Sequence, residues 1–234
     1  MKKNVQDSSS RSYLLIGSGR LSRHLQFYFH TIGLHFDHWD RQKSVETLDR
    51  ALEKRPTVLL AISDQALQPF FDTHLKKRDL VVVHFSGALH LPGLIACHPL
   101  MSFADRLFPN EFYPRIGFAV TGTSSLQDCL PELPNPSFPL RPEEKALYHA
   151  WCVLAAAGTQ TLWKAARAQL MAQGVPSASF DSYLQQIAEN FIRDPEHSLT
   201  GPWARNDRAT IQKNEEALSG ASRELYSQLR KGLS

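Results

Sequence analysis

Two runs, Thr57–Ile62 "TVLLAI" and Leu80–Phe85 "LVVVHF", constrain the fold most. Both are apolar on successive residues, the pattern of parallel strands covered by helices on both faces. Further runs at Tyr13–Ile16, Leu34–Trp39, Leu94–Cys97 and Gly117–Thr121 alternate with longer mixed segments, the rhythm of βαβ units. The sequence therefore predicts an α/β chain built on a doubly wound, mostly parallel sheet.

The segment from Leu130 to Pro142, "LPELPNPSFPLRP", holds five prolines in thirteen residues, and proline interrupts helices and central strands. A domain boundary is expected there, near residue 140. This gives a sheet domain over 13–140 and an all-helical domain over 141–234, with residues 1–12 as a disordered polar tail. One long helix is expected from Pro142 to about Ala172, stopped by Gly174 and Pro176. Its middle, "ALYHAWCVLAAAGTQTLW", is apolar nearly all round, which suits a helical core or a subunit interface. The next helix carries Phe180, Leu184, Ile187 and Phe191 at helical spacing, and a last one runs from about Asp207 to Leu229.

Composition excludes several classes. A hydrophobic fraction of 42% and a charged fraction of 21% belong to an ordinary globular chain. The net charge of +3 comes without blocks of like charge, so no nucleic-acid partner is expected. The N-terminus lacks an apolar signal core, and no uninterrupted apolar run approaches ~18 residues, so no membrane partner is expected and a cytoplasmic location is. Three widely spaced cysteines, Cys97, Cys129 and Cys152, form neither a disulfide framework nor a metal-ligand motif. No bound metal is expected.

The chemistry begins at "IGSGRLSRH", residues 16–24, where Gly17-Ser18-Gly19-Arg20-Leu21-Ser22 follows a predicted strand and precedes a predicted helix. This is the context of the Rossmann dinucleotide fingerprint, with serine at its third glycine position. The first glycine allows a tight turn, the second lets the backbone approach a pyrophosphate, and the helix N-terminus attracts the anion. About 20 residues on, where a ribose reader belongs, stand Asp40 and Arg41. Asp40 suits the 2′-hydroxyl of NAD. Arg41 and Lys43, with Arg20 or Arg23, suit the 2′-phosphate of NADP, and the number of cations favours NADP over NAD.

Ser63 and Asp64 follow the third strand, and Ser86 and Gly87 follow the fourth. Both turns are expected at the carboxyl edge of the sheet, where ligands of such folds lie. Asp64 also suits a helix cap, and Ser86-Gly87 an ordinary turn. His98 ends the fifth run at the same edge and is a candidate acid or base. Cys97 beside it has no Cys/His/Asn constellation. On the long helix, Leu147, Trp151 and Leu154 share one face, while His149 and Gln160 point the other way. His149 suits either a substrate cleft or a satisfied core position.

The combination "IGSGRLSRHL", "LLAISDQAL", "VVVHFSGAL", "CHPLMSF", "GFAVTG", "ALYHAWCVLAA" and "LTGPWARND" resembles a family of Rossmann-like proteins with a C-terminal domain of unknown function 2520. That family is similar to the 6-phosphogluconate dehydrogenase-like superfamily, alongside pyrroline-5-carboxylate and ketopantoate reductases. The resemblance implies an N-terminal NADP-binding domain, a helical domain that forms a homodimer, and an active site between them. By it, Tyr148, His149, Thr200, Gly201, Pro202, Arg205 and Asp207 are the matching positions of the helical domain. Arg205 is then the group for an anionic substrate. Two positions depart from the family pattern: Ala157 stands where relatives place asparagine, and Asn206 where they tend to have glycine. The connection over 123–140 is also short and proline-rich.

The expected function is an NAD(P)-dependent oxidoreductase passing hydride to or from a small carbonyl, imine or hydroxy-acid substrate. His98 and His149 would transfer the proton, and His98, Tyr148, His149 and Arg205 would contact the substrate. The alternative is a dinucleotide-binding sensor without turnover, which Ala157 favours.

Overall fold

A computed structural model describes residues 11–232; residues 1–10 of the expected tail lie outside the described residues. The chain divides into two compact units, one ending at Thr159 and one beginning at Gln160, rather than at the proline-rich segment near residue 140.

The first unit contains a seven-stranded sheet of β1 (Tyr13–Ile16), β2 (Asp37–Trp39), β3 (Thr57–Leu60), β4 (Val82–His84), β5 (Ile95–Pro99), β6 (Phe118–Thr121) and β7 (Ser137–Pro139). The spatial order is β2-β1-β3-β4-β5-β6-β7, and every pairing is parallel except β5 with β6. Between the strands lie α1 (Arg20–Thr31), α2 (Val45–Glu53) and α3 (Asp64–Phe70). Successive strand residues point to opposite faces, so each apolar run feeds two cores. Leu15, Leu59 and Val83 pack with Leu25, Tyr28 and Phe29 of α1. Leu14, Ile16, Val58, Leu60 and Val82 pack on the other face with Leu48 and Leu52 of α2 and Leu67 of α3. This two-sided burial is the doubly wound arrangement that "TVLLAI" demands. Truncating one of these leucines to alanine would cost about 2–5 kcal/mol.

Several elements differ from the sequence expectation. The strand expected from Leu34 shortens to three residues. The proline-rich connection contributes β7, tolerated because it lies at the sheet edge, where Pro139 need not donate to a further strand. Buried Asn135 orders that connection: it accepts from Tyr28 Oη at 2.7 Å and donates to the carbonyls of Tyr113 and Ile116. The long helix is also not uniform. It runs as α4 (Lys145–Val153), a π-helical turn (Leu154–Gly158) and α5 (Thr159–Ala172).

The second unit is helical throughout its regular structure, with α6 (Ser177–Arg193), α7 (Gly201–Ala204), α8 (Arg208–Ala217) and α9 (Gly220–Lys231) following α5. The single helix expected over Asp207–Leu229 is thus two, parted at Leu218 and Ser219 before Gly220. Among the described residues, no helix is long and apolar enough to cross a membrane.

Candidate functional site

The turn between β1 and α1 is built for close approach. Gly17 has φ +133°, and a Cβ there would lie 2.2 Å from the Ala61 carbonyl oxygen. Its own carbonyl accepts hydrogen bonds from Ser22 Oγ at 2.6 Å and from His38 Nε2 at 2.7 Å. The serine at the third fingerprint position, fully buried, therefore ties the turn together through a bond that glycine could not make. Gly19 is the N-cap of α1, with no side-chain cap. A Cβ on it would meet no heavy atom within 4 Å, so the helix N-terminus faces open space. The unpaired N–H groups of a first helical turn and the positive end of its dipole suit a phosphate there.

A cleft of about 500 Å³ opens over this turn. It is lined by Gly17, Ser18, Gly19, Arg20, Leu21, Asp40, Arg41 and Ser63, all expected from the sequence, and by apolar Trp39, Ile62 and Phe70. These residues fit a dinucleotide: a glycine cradle for the pyrophosphate, a charged pair at the end of β2 for the ribose, and an aromatic wall. His74, in the π-helical turn that extends α3, also lines the cleft and was not foreseen. The cation cluster is smaller than the sequence suggests. Arg20 and Arg23 both donate to Asp105 Oδ1, at 3.1 and 2.8 Å, and hold that carboxyl below its usual range. Lys43 donates to the His38 carbonyl. Asp40 accepts the Gln42 amide, while Arg41 lies on the cleft.

Asp64, Ser86 and Gly87 lie outside that lining and form a second group with His98, Tyr148 and His149. Ser86 Oγ donates to Asp64 Oδ2 at 2.9 Å, joining the turns after β3 and β4. Gly87 sits against both imidazoles: a Cβ there would be 2.3 Å from His149 Cδ2 and 2.9 Å from His98 Nε2. Only glycine fits. His98 Nδ1 shares a hydrogen bond with Tyr148 Oη at 3.0 Å, and its ring stands edge-on to both Tyr148 and His149. Burial, then His149 and then Lys145 push the His98 imidazole down to about 4. Burial and a hydrogen bond to Cys152 push the Tyr148 phenol up. At neutral pH the pair is an uncharged imidazole beside an uncharged phenol.

Next to this group lies a cleft of about 450 Å³. Its walls are His98, His149, Cys152, Leu100, Met101, Ser102, Val153 and the alanines 155–157. The π-helical turn supplies those alanines, and such turns recur at functional positions of helices. Tyr148 and His149 follow Lys145 at i+3 and i+4, so the three share one side of α4, while Leu147, Trp151 and Leu154 are exposed on the other.

Arg205 lies exposed in the second unit, after α7. Asp207 caps α8, accepting from Thr210 N and Thr210 Oγ1. Asn206 has φ +51°, which explains the glycine of the family pattern, since asparagine is among the few other residues that adopt this conformation readily. Thr200 precedes the helix as its N-cap, and Gly201 has φ +78°.

Residues 117–232 match the family model described as Domain of unknown function (DUF2520). The chain carries a DUF2520 domain. Among curated proteins, none matches the chain. Solved structures share its fold across nearly the whole length of both chains. A Thermotoga maritima protein is 22% identical, with a TM-score of 0.73 over 94% of this chain and 95% of that one. A Bacteroides fragilis protein named as a candidate NADP oxidoreductase is 19% identical, with a TM-score of 0.71 over 96% and 98%. A 1-pyrroline-5-carboxylate reductase from Streptococcus pyogenes is 14% identical, with a TM-score of 0.62 over 94% and 95%. At these identities the likeness is one of fold, and the DUF2520 chain has the Rossmann-like α/β architecture with a helical C-terminal part.

Proposed function

We propose that this DUF2520 chain is an NAD(P)H-dependent oxidoreductase acting on a small carbonyl or imine, or on the corresponding hydroxy acid in reverse. The observation that carries this reading is the pairing of a glycine-cradled cleft over the β1–α1 turn with a hydrogen-bonded His98–Tyr148 pair, which joins the carboxyl end of β5 to α4. The bound dinucleotide supplies the hydride. The chain's own residues do the rest: Tyr148 fixes the His98 ring through Nδ1, leaving Nε2 to face the reacting group. His98 and His149 hold and hand on the proton. The alanine wall excludes water from the apolar body of the substrate. The neighbour from Streptococcus pyogenes is named as a 1-pyrroline-5-carboxylate reductase, in keeping with this reading.

Arg41 on the cleft rim favours NADP, with NAD as the other candidate. We assign Arg205 to a substrate carboxylate, so Arg205→Ala should raise KM for carboxylated substrates and leave uncharged ones unaffected. The exposed stripe of Leu147, Trp151 and Leu154 supports a homodimer, which light scattering on the purified chain would show as twice the monomer mass. NADPH consumption with a panel of cyclic imines, ketones, aldehydes and keto acids tests the activity. Turnover of at least one supports the reading. NADPH binding without any turnover would favour the sensor alternative, to which Ala157 in the cleft lining points.

A further inference from the structure

All three polar atoms of Ser86 are held by charged or titratable side chains. Its amide donates to His84 Nδ1 at 3.3 Å, its hydroxyl donates to Asp64 at 2.9 Å, and its carbonyl accepts from Lys145 Nζ at 3.1 Å. Lys145 opens α4 and is 1% exposed. Among the described residues, no carboxylate pairs with it within 4.0 Å. Burying an ammonium without a counter-ion is costly, and a methionine of similar length would avoid that cost. His84 is also fully buried, and its Nε2 has no partner. Since Nδ1 accepts the Ser86 amide, the ring proton sits on Nε2.

We propose that Lys145 is a positioning residue that acts through the Ser86–Gly87 turn, holding it against His98 and His149 and setting the electrostatic field in which His98 works. The groups facing this ammonium are Asp64 after β3, His84 and Ser86 at the end of β4, and Cys97 and His98 on β5. His98 further faces Tyr148 and His149 of α4, with Cys152 beyond Tyr148, and His90 faces His84. Asp64 is the one carboxylate of this set, and it is occupied by Ser86 Oγ. A fixed positive charge beneath the turn disfavours a second charge on His98 and on His84. His98 is then kept as a neutral hydrogen-bonding ring through the physiological range, and the ring meets a turn that cannot move away from it. The inference rests on the oxidoreductase reading for its consequence in turnover, but its test needs neither cofactor nor substrate.

The test is a pH titration of the imidazole resonances in the whole chain labelled with ¹³C-histidine, with His98 assigned by its loss in His98→Gln. In the wild type His98 should stay neutral down to a pH of about 4. In Lys145→Met its midpoint should rise by about one pH unit, and Lys145→Arg, which keeps the charge, should restore it. An unchanged His98 midpoint in folded Lys145→Met would overturn the proposal. If that variant does not fold, Lys145→Gln, which keeps a donor for the Ser86 carbonyl but no charge, is judged by the same shift. Absence of turnover in the wild type would remove the oxidoreductase reading and leave this titration decisive for Lys145.

Discussion

Substitution at Gly19 separates nucleotide binding from folding. Its φ of −73° and ψ of −177° are open to any residue, and a Cβ there meets nothing within 4 Å. Alanine should therefore leave the fold intact and stabilise it by about 0.4–1 kcal/mol by restricting the unfolded chain. On the proposed function, the same open space is where a pyrophosphate would approach the α1 N-terminus. Loss of one charge-assisted hydrogen bond there costs about 1.5–3 kcal/mol, or roughly 10–150-fold in Kd. Gly19→Asp adds a like charge facing the phosphates and should abolish binding. Gly17→Ala, by contrast, forces a Cβ to within 2.2 Å of the Ala61 carbonyl and should lower stability and binding together. A fluorescence titration with NADPH, run beside a thermal melt, reads both quantities. Wild-type NADPH affinity in Gly19→Asp would refute the placement of the dinucleotide.

Three further outcomes are expected. Arg41→Ala should weaken NADPH more than NADH, and equal losses in a pair of titrations would count against a 2′-phosphate contact. Tyr148→Phe removes the hydroxyl 3.0 Å from His98 Nδ1 and should lower kcat about tenfold or more with little change in melting temperature; an unaltered kcat would show that His98 does not depend on Tyr148 to fix its ring. Burial, followed by Lys145, pushes His84 from 6.5 down to about 4. Below 6.5 the unfolded chain takes up a proton that the folded state refuses. The His84 contribution, about 3 kcal/mol, is thus present above pH 6.5 and lost as pH falls towards 4. Urea unfolding across this range should show a shallower acid decline in His84→Leu, and parallel declines would contradict the burial argument.

Much of the fold was legible because local chemistry dictated it. "TVLLAI" and "LVVVHF" are apolar on both strand faces, and the structure buries both faces of β3 and β4. The strand β7 was not legible, since its prolines are permissible only at an edge, and edge position depends on the completed sheet. The π-helical turn at Leu154–Gly158 likewise leaves no periodicity break that sequence spacing reveals. In the site, the glycine turn, Asp40, Arg41 and Ser63 come together as their positions after successive strands require. Arg20 looked free for a phosphate, but Asp105, distant in sequence, engages it. Lys145 ends the charged run "RPEEK", and nothing in that composition marks it as buried. The signal that would have found it is its i, i+4 spacing from His149, which puts both side chains on one helix face.

For turnover, a dinucleotide bound in the β1–α1 cleft must reach the His98–Tyr148–His149 group. A crystal structure of the chain with NADP⁺ tests it most directly. The pyrophosphate is expected over Gly19 and the nicotinamide beside Gly87, with one ring face turned to His98 and the alanine-lined cleft. A nicotinamide directed away from Gly87, or a dinucleotide bound elsewhere on the chain, would contradict it.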